Sequence, residues 1–489
     1  MVNAHHIYAG IYGGPFLFLK TFWYTFLMAK LNQYMFREYD IRGRESEEEL
    51  NNNSVYLIAK SYGTFLRKRG IIESVVGHDN RKSSEDFYEQ SVKGLRETGI
   101  NVIGFGVGTT PMMYWAQYYF KSKGGLMVTA SHNPAGWNGV KLALGYSYTL
   151  IGDEVKEIQR VAESEEFESG NGTFREENIL NAYIKDLVSR AKLHKKLKVL
   201  INTANATSGI VSPKMLRDFG CEVVEHNTNL DPSYPNYVPN PANVEMMEDT
   251  GKMVVKNNCD VGLAIDADGD RVGVTDEKGN VIWPDRYIIL LSRLVLEKHP
   301  GAKIIFDVKV SESLPEDIKA HGGVPIMWKT GHSYIKEKLH DEKAAFAGEM
   351  SGHIFFVEDF YGFDDANFAA LKLLEYISKQ KEPLSEIIKK TPYYVSTPTY
   401  QAHCGDDVKY QVVDKLTQEF KNEGYRVVDI NGARVYLEDG WGLVRASSNL
   451  PALVIRFEAK TQAGLEKIEK IFKDKFSKYP EIGIELESA

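Results

Sequence analysis

The amino-acid sequence predicts an α/β fold of three related domains, followed by a smaller α+β domain. Three observations lead to this prediction. Strand-like and helix-like segments alternate through the middle of the chain, one strand-and-loop pattern recurs three times, and the C-terminal part carries hairpin signals. The 489 residues are enough for several domains, and the composition, 43% hydrophobic and 26% charged, is typical of a globular protein.

The alternation is clearest where helix signals lie between apolar runs. Residues 85–98 place apolar side chains on one helical face, and the apolar run 101–107 follows. Further along, Ser212 is predicted as the N-cap of a helix that has Pro213 in its first turn and ends at Gly220. This order is typical of βαβ units, so we expect mostly parallel sheets covered by helices.

An internal repeat suggests that these units belong to three similar domains. In each, a short apolar strand ends in a polar loop, and a later strand ends in a denser polar loop. The paired positions are Asp79 and Ser131, Asn202 and Asp266, and Asp307 and Glu349, with separations of 52, 64 and 42 residues. Because ligands of open α/β sheets bind at the carboxyl ends of strands, we expect these loops to meet at one place.

The C-terminal part has a different pattern. Asn431-Gly432 and Asp439-Gly440 are hairpin signals, which predict an antiparallel sheet. A terminal helix is predicted from one apolar face, formed by Leu465, Ile468, Phe472 and Phe476. Earlier in the chain, the Pro- and Asn-rich stretch 231–244 is predicted to be an extended surface loop.

The bulk composition excludes several classes of protein. With a net charge of −8, the surface as a whole does not attract nucleic acid. Three cysteines, no two of them close, suggest neither a disulfide framework nor a zinc site, so we expect a reduced, cytoplasmic setting. Residues 7–28 are apolar and aromatic, but Gly13-Gly14-Pro15 and Lys20 interrupt them. We therefore favour an extension without assigned function, with Met28 or Met35 as the natural beginning, over a membrane anchor or a signal peptide.

The sharpest motif is VGLAIDADGDRVGV at 261–274, where Asp266, Asp268 and Asp270 alternate directly after an apolar strand. Three converging carboxylates repel one another, so the pattern predicts a divalent cation, and oxygen ligands beside phosphate favour Mg²⁺. An EF-hand would need glycine where Arg271 stands and helices on both sides, so we reject that alternative. Arg271 is suited instead to hold a phosphoryl group beside the metal.

A serine follows another apolar run, in VTASHNPAGWNGVK at 128–141. A hydroxyl beside a cation site can carry a phosphoryl group and pass it on, which is the role we predict for Ser131. His132 and Lys141 favour this interpretation over a simple turn serine, because the charge of a phosphoserine must be offset.

Two further loops have the chemistry of sugar phosphate recognition. In RASSNLP at 445–451, a guanidinium and small donors suit a phosphate that does not react, and the predicted residues are Arg445, Ser447, Ser448 and Asn449. In GEMSGH at 348–353, alternating side chains suit vicinal sugar hydroxyls, and the predicted residues are Glu349, Ser351 and His353. His332, in the Gly-flanked loop KTGHSYIK, is a candidate for either a structural or a catalytic role.

Together these motifs resemble, in the same order, those of the α-D-phosphohexomutases, most closely the phosphomannomutase/phosphoglucomutase branch. FREYDIRG at 36–43 completes the set, and the match runs from about Phe36 to the C-terminus. The resemblance implies three related mixed-sheet α/β domains plus a smaller C-terminal α+β domain around a central cleft. The predicted divisions are an extension at 1–34 and domains at 35–178, 179–283, 284–395 and 396–489.

The resemblance also implies roles for residues of all four domains. Ser131 would be the phosphoserine and would give the metal an oxygen beside those of the three aspartates, while Arg271 and Lys141 would flank the transferring group. The remaining implied contacts are the cleft entrance at Tyr39 and Arg42, the sugar ring at Lys309, His332, Glu349, Ser351 and His353, and the distal phosphate at Arg445, Ser447, Ser448 and Asn449.

The implied activity is the interconversion of hexose 6-phosphates and hexose 1-phosphates through a phosphoserine and a hexose 1,6-bisphosphate. Contacts from Glu349 and Ser351 to O3 and O4 would ignore C2, so we expect both mannose and glucose phosphates to react. Lys141 or His332 would accept the proton of the sugar hydroxyl. The expected cofactors are Mg²⁺ and, as activator, glucose 1,6-bisphosphate or mannose 1,6-bisphosphate.

We expect small-molecule sugar phosphates as partners, without nucleic acid or membrane, and a monomer or homodimer. One alternative is a phosphoglucosamine mutase, against which GEMSGH and RASSNLP argue. Others are a phosphatase and a non-catalytic sugar phosphate-binding protein. The latter would be expected to lose Ser131 or one of the aspartates, yet all are present.

Overall fold

The computed structural model describes residues 31–448 and 450–483, and the backbone of 487–488. The predicted extension at 1–34, including Met28, lies mostly outside the described residues. Leu31 and Met35 are buried in the core of the first unit. No helix among the described residues has the length and apolar character needed to cross a bilayer.

The first unit is built on a mixed sheet. Its strands are β1 (Ile41–Arg44), β2 (Glu73–His78), β3 (Asn101–Val107), β4 (Gly124–Val128), β5 (Trp137–Leu144), β6 (Tyr148–Thr149) and β7 (Phe174–Glu176). Its helices are α1 (Asn52–Lys68), α2 (Ser84–Glu97), α3 (Thr110–Phe120) and α4 (Asp153–Ser164). The predicted helix at 85–98 and strand at 101–107 are confirmed.

The second and third units are also mixed sheets with helices. The second contains α5 (Leu180–Ser189), β8 (Lys198–Asn202), α6 (Ser212–Asp218), β9 (Glu222–His226), α7 (Val244–Asn257), β10 (Val261–Ile265), β11 (Val272–Asp276) and β12 (Val281–Ile282). The third contains α8 (Pro284–Lys298), β13 (Lys303–Asp307), α9 (Ser313–Ala320), β14 (Val324–Trp328), α10 (His332–Glu342), β15 (Phe346–Gly348), β16 (Ile354–Phe356), α11 (Ala366–Lys379) and α12 (Leu384–Lys389).

The fourth unit is the predicted antiparallel α+β domain. Its elements are β17 (Val395–Ser396), β18 (Tyr400–His403), α13 (Lys409–Asn422), β19 (Arg426–Val428), β20 (Ala433–Tyr436), β21 (Gly440–Ala446), β22 (Ala452–Ala459), α14 (Gln462–Phe476) and β23 (Glu487–Ser488). Both predicted hairpins are confirmed, because β19 pairs with β20 and β20 pairs with β21, each antiparallel.

The internal repeat is confirmed by sheet topology. Four strands follow the same order in each of the first three units, namely β5-β4-β2-β3, β11-β10-β8-β9 and β16-β15-β13-β14. In every case the two central strands pair in parallel, and the next strand along the chain returns antiparallel at the edge of the four. The polar loops that follow the central strands therefore lie at equivalent ends of three sheets, which favours a shared site.

One predicted helix cap is wrong. Ser212 is the first residue of α6, and the N-cap is Val211. The hydroxyl of Ser212 donates to Asn367 Oδ1 at 2.6 Å, in the third unit. The hydroxyl that the local sequence pattern assigns to helix capping therefore forms a tertiary hydrogen bond instead. Gly220, with φ of 103°, ends this segment as predicted.

The hydrophobic cores show how the units are joined. A single apolar cluster runs through the first three units, whereas the fourth unit has a core of its own. The fourth unit docks on the third through two buried arginines. Arg434 donates to the carbonyls of Val308 and Val310 at 2.7 and 2.8 Å, and Arg456 donates to the carbonyl of Lys309 at 2.6 Å. The three cysteines are free and buried.

Candidate active site

A cleft of about 980 Å³ lies where the four units meet. Twelve of the residues predicted for the site line it: Tyr39, Arg42, His132, Arg271, Lys309, His332, Glu349, Ser351, His353, Arg445, Ser447 and Ser448. Ser131, Lys141 and the three aspartates lie behind this lining and are at most 2% exposed. Asn449 lies outside the described residues.

The serine loop follows β4 and has an unusual backbone. Ser131 adopts a φ of 51°, in the left-handed region that only a few non-glycine residues occupy. Its N–H donates to Thr129 Oγ1 at 2.9 Å, and its own Oγ lies 3.1 Å from His132 Nδ1. Burial, and then the charges of Arg271 and Arg42, hold the pKa of His132 well below its usual value. A neutral imidazole therefore stands beside the hydroxyl.

Two arginines hold this loop. Arg42, predicted at the cleft entrance, donates to Asn133 Oδ1 at 3.0 Å and pairs with Asp40 at 2.6 Å. Arg81, which the sequence did not suggest, donates to the carbonyl oxygens of Ser131 and Asn133, both at 2.6 Å. Its local sequence, GHDNRKSS, gives no sign that its guanidinium reaches a loop about 50 residues away.

The acidic loop follows β10, and its turn is held by one carboxylate oxygen. Asp266 Oδ1 accepts from the N–H groups of Gly269, Asp270 and Arg271 at 3.0, 3.1 and 3.1 Å. Gly269 has a φ of 81°, and a Cβ at this position would lie 2.9 Å from the side chains of Ser208 and Thr109. A glycine is therefore needed for both the turn and the close approach of the first two units.

The acidic loop has the donor set of a metal site. The carboxylates of Asp266, Asp268 and Asp270 lie within 4.8 Å of one another and are all buried. Each has one buried oxygen without a hydrogen-bond partner: Oδ2 of Asp266, Oδ1 of Asp268 and Oδ1 of Asp270. Burial, and then the charge of Asp270, raises the pKa of Asp266 well above its usual value. Three buried hard oxygens from neighbouring carboxylates fit Mg²⁺, which would offset their repulsion.

Residues of the first unit reach this loop directly. Lys141 Nζ lies 2.6 Å from Asp268 Oδ2 and 2.7 Å from Asp270 Oδ2. Although burial opposes its charge, these carboxylates raise the pKa of Lys141 well above its usual value. Thr110, absent from the sequence-based set, donates its N–H to the carbonyl of Asp268 at 2.8 Å and its hydroxyl to Asp268 Oδ2 at 2.6 Å. The serine and acidic loops are thus tied through β5 and α3.

The predicted sugar loop meets the acidic loop at His353. Nδ1 of this ring lies 2.9 Å from Ser351 Oγ and 3.1 Å from Glu349 Oε2, while Nε2 lies 3.3 Å from Asp270 Oδ1. Although burial opposes a charged ring, the carboxylates of Asp270 and Glu349 raise the pKa of His353 to about 9. Arg271 Nε lies 3.2 Å from His353 Nε2, so the sugar loop touches the group predicted to hold phosphate.

His332 is the first residue of α10 and faces a second buried acid. Its Nδ1 lies 3.5 Å from Asp364 Oδ2, and Lys336 Nζ lies 3.7 Å from Asp364 Oδ1. Burial, and then the charge of Lys336, holds the pKa of His332 well below its usual value. Asp364 was missed because nothing in its local sequence links it to a loop about thirty residues earlier. The ring of Tyr39 packs edge-on against His332 at 5.1 Å.

The predicted phosphate loop follows β21. Arg445 is 5% exposed, its Nε has no hydrogen-bond partner within the described part of the chain, and its Nη2 lies 3.4 Å from Ser448 Oγ. The loop is held by Lys409, a residue that the sequence did not suggest, which donates to the carbonyls of Ser447 and Leu450 at 2.6 and 3.0 Å. Lys309 also lines the cleft, 3.7 Å from Asp307, and burial lowers its pKa.

Comparison with known protein families gives a separate match for each of the four units. The models for phosphoglucomutase/phosphomannomutase domains I, II and III match residues 33–169, 181–279 and 283–394, and the model for the C-terminal domain matches 408–475. The chain belongs to the phosphoglucomutase/phosphomannomutase family. The resemblance inferred from the motifs is confirmed.

Individual relatives agree with the family assignment. The chain is 38% identical over 438 residues to a phosphomannomutase/phosphoglucomutase of Pseudomonas syringae, covering 90% of this chain and 94% of the relative. It is 38% identical over 450 residues to a phosphoglucomutase of Neisseria gonorrhoeae, covering 91% and 97%. A crystal structure of a family member from Burkholderia thailandensis superposes with a TM-score of 0.87 at 35% identity, covering 92% of this chain and 99% of that one.

Proposed function

We propose that this chain is a phosphohexomutase that interconverts hexose 6-phosphates and hexose 1-phosphates, and that it accepts both mannose and glucose. The observation that carries the proposal is convergence. A serine loop, an acidic triad, a sugar loop and an arginine loop, one from each unit, surround a single cleft. Family membership supports the same activity, and its relatives are named as phosphomannomutases, as phosphoglucomutases or as both.

The proposed reaction begins with a phosphate on Ser131. A free sugar hydroxyl attacks phosphorus, the bond from phosphorus to Ser131 Oγ breaks, and the product is a hexose 1,6-bisphosphate. After the sugar turns over in the cleft, Ser131 Oγ attacks the other phosphorus, the bond from that phosphorus to the sugar oxygen breaks, and the isomeric hexose monophosphate leaves with a free hydroxyl. Mg²⁺ held by Asp266, Asp268, Asp270 and an oxygen of the serine phosphate would offset the charge of the transferring group. Arg271 lies 3.9 Å from Asp270 Oδ1 and is suited to hold that group.

The proton of the sugar hydroxyl needs an acceptor within the cleft. Of the two groups proposed from the sequence, Lys141 is engaged by Asp268 and Asp270, and its raised pKa disfavours a neutral amine. His332 lines the cleft and has a lowered pKa, so its ring is neutral and can accept a proton. The ring of His353 lines the same cleft, but despite its burial the carboxylates of Asp270 and Glu349 raise its pKa to about 9, so the ring carries a proton already and is disfavoured as the acceptor.

The two histidines can be distinguished by kinetics. If one ring accepts the proton, its replacement by alanine should lower kcat by about 10²–10⁴-fold, while the other variant should act mainly on KM. Addition of free imidazole should restore part of the rate only to the variant that lacks the base. Equal, small losses for both variants would contradict a histidine base.

In this proposal, selectivity between sugars depends on which sugar hydroxyls the protein contacts. Glu349 and Ser351 are suited to O3 and O4, which roughly exchange places when the ring turns over, and mannose differs from glucose only at C2. A site that makes no contact to the C2 hydroxyl cannot strongly reject the epimer. Conversion of mannose 1-phosphate and glucose 1-phosphate should therefore proceed with similar kcat/KM.

The deciding experiment compares products. Mannose 1-phosphate, glucose 1-phosphate and glucosamine 1-phosphate are assayed side by side, with Mg²⁺ and catalytic glucose 1,6-bisphosphate, and released phosphate is measured. A mutase gives the 6-phosphates with little free phosphate, whereas a phosphatase releases phosphate in step with turnover. Full turnover by Ser131→Ala without bisphosphate would contradict the proposed mechanism, and preference for glucosamine 1-phosphate would favour the aminosugar alternative.

A further inference from the structure

One buried side chain, that of Arg81, makes most of the hydrogen bonds that arginines donate to the backbone of the serine loop. Between β4 and β5 the chain passes through Ser131 with φ of 51° and Gly136 with φ of 82°. No helix or strand spans residues 129–136, so the loop does not gain its shape from regular backbone pairing. A non-glycine residue in the left-handed region is strained, and such a conformation persists only where its surroundings impose it.

Arg81 supplies those surroundings. A guanidinium has five N–H donors, and all five of Arg81 are used. Nη2 donates to the carbonyls of Ser131 and Asn133, both at 2.6 Å, and Nη1 donates to those of Pro134 and Trp137 at 2.9 and 3.0 Å. One planar group therefore fixes four carbonyls along seven residues of the loop.

The guanidinium is itself held from the other side. Its Nε donates to Asp79 Oδ2 at 3.1 Å, and Asp79 Oδ1 accepts from the N–H of Arg81 and from Ser84 Oγ at 3.0 and 2.5 Å. The ring of Tyr234, from the second unit, lies 5.3 Å from the guanidinium carbon. Arg81 is only 4% exposed, so water cannot replace these bonds.

Arg81 stands in the junction between the serine and acidic units. Its neighbour Asn80 is bound by the second unit, since its N–H donates to Thr207 Oγ1 at 2.9 Å and its Nδ2 donates to the carbonyl of Asn205 at 3.1 Å. The segment that carries Arg81 therefore cannot shift without breaking contacts to the unit that bears the aspartates. The serine loop is fixed relative to the acidic loop, not only within its own unit.

We propose that Arg81 is a positioning residue for phosphoryl transfer, which holds the hydroxyl of Ser131 in line with the acidic loop. This inference rests on the proposed mutase function. Arg81 bonds only backbone carbonyls and Asp79, and it is not among the residues that line the cleft. Its loss should therefore slow transfer without weakening the binding of sugar phosphate, because the proposed contacts to the sugar ring and to the distal phosphate lie on the third and fourth units.

Lysine is the discriminating replacement. It keeps the positive charge of Arg81 but has three donors on a single nitrogen, so it cannot reach four carbonyls and Asp79 together. We expect Arg81→Lys to lower kcat about 100-fold, the loss associated with a misplacement of about 1 Å. KM for glucose 1-phosphate should stay within about threefold of the wild-type value. Arg96→Lys is the matched control, because Arg96 donates to the carbonyl of Gly172 in the same unit, away from the loop.

The assay must separate positioning from simple loss of folded protein. Each variant is incubated with Mg²⁺ and glucose 1,6-bisphosphate, the phosphate on Ser131 is quantified by intact mass, and kcat is expressed per phosphorylated molecule. A loss that persists after this correction, with KM unchanged, supports the proposal. A kcat per phosphorylated molecule within about threefold of the wild-type value overturns it, and so does a KM that rises as much as kcat falls.

A second variant covers the case in which Arg81→Lys does not fold. Asp79→Asn removes the charge that anchors Nε and leaves the four carbonyl bonds in place, so kcat should fall by a smaller factor with the same KM. An unchanged kcat in that variant overturns the proposal. Absence of both mutase activity and phosphate uptake in the wild-type protein would instead contradict the proposed function.

Discussion

Arg445→Ala tests the proposal that Arg445 binds the phosphate that does not react. Arg445 is 5% exposed, and its Nε is buried without a hydrogen-bond partner among the described residues, so the cleft offers a donor of a charged group to a ligand. A phosphate oxygen would satisfy it, and a hydrogen bond to a charged group contributes about 1.5–3 kcal/mol. Loss of about 3 kcal/mol corresponds to a KM increase of roughly 150-fold.

The effect should fall on KM because this phosphate is bound equally in the ground state and the transition state. Initial rates with glucose 1-phosphate and mannose 1-phosphate, each at saturating Mg²⁺ and bisphosphate, should give the same factor for both sugars and a change in kcat below about tenfold. Arg426→Ala is the control, since Arg426 lies on an exposed strand end of the same unit, stacked on Tyr436. A KM within about threefold of the wild-type value would refute the assignment.

Three further outcomes are expected. Chelation of Mg²⁺ should abolish turnover, and added Mg²⁺ should raise the unfolding temperature of the wild type but not of Asp268→Asn, as read by thermal unfolding. Because burial raises the pKa of Asp365 to about 7, the folded state retains a proton that the unfolded state releases near pH 4, so stability falls as pH rises between these values. Asp365→Asn can still cap α11 but does not titrate. In urea unfolding, its free energy of unfolding relative to the wild type should therefore increase across this pH window, by at most about 4 kcal/mol. A difference that stays constant with pH would contradict the raised pKa of Asp365. Arg434→Met leaves the carbonyls of Val308 and Val310 buried without their donor and should lower the free energy of unfolding by about 3–5 kcal/mol in the same assay; a loss below about 1 kcal/mol would contradict this account.

Much of the fold could be predicted because its signals are local. The strand that ends before Asp266 is an unbroken apolar run, and the helix before Gly99 has one apolar face. The recurrence of strand and polar loop predicted three related sheets, and the shared strand order confirms it. The domain limits at 178, 283 and 395 stay a prediction, since topology alone does not fix where one unit ends.

Functional residues could be predicted from the sequence where their type and spacing are hard to explain by structure alone. Three aspartates after a buried strand are costly without a cation, so the acidic triad could be proposed from the sequence alone. The supporting residues could not, because their partners are distant in sequence. Arg81 is separated from Ser131 by 50 positions, and Thr110 from Asp268 by 158. Their functions depend on register between loops and between units, which no local pattern encodes.

The three related units show how one topological position acquires different chemistry. In each, the loop after the second central strand carries a group that we propose to react or to bind: Ser131, Asp266 or Glu349. At the end of the first central strand, each unit has a polar side chain that accepts a hydrogen bond from a backbone N–H: Asp79, Asn202 or Asp307. The first two of these side chains accept in the same way. Asp79 Oδ1 accepts from the N–H two residues on, and so does Asn202 Oδ1, each at 3.0 Å. Asp307 instead accepts from the N–H of Met350 at 2.9 Å, within the sugar loop itself. In all three units, a side-chain acceptor at the end of the first central strand therefore holds the backbone of an adjacent loop. The functional loops could therefore diverge while their positions around the cleft stayed fixed.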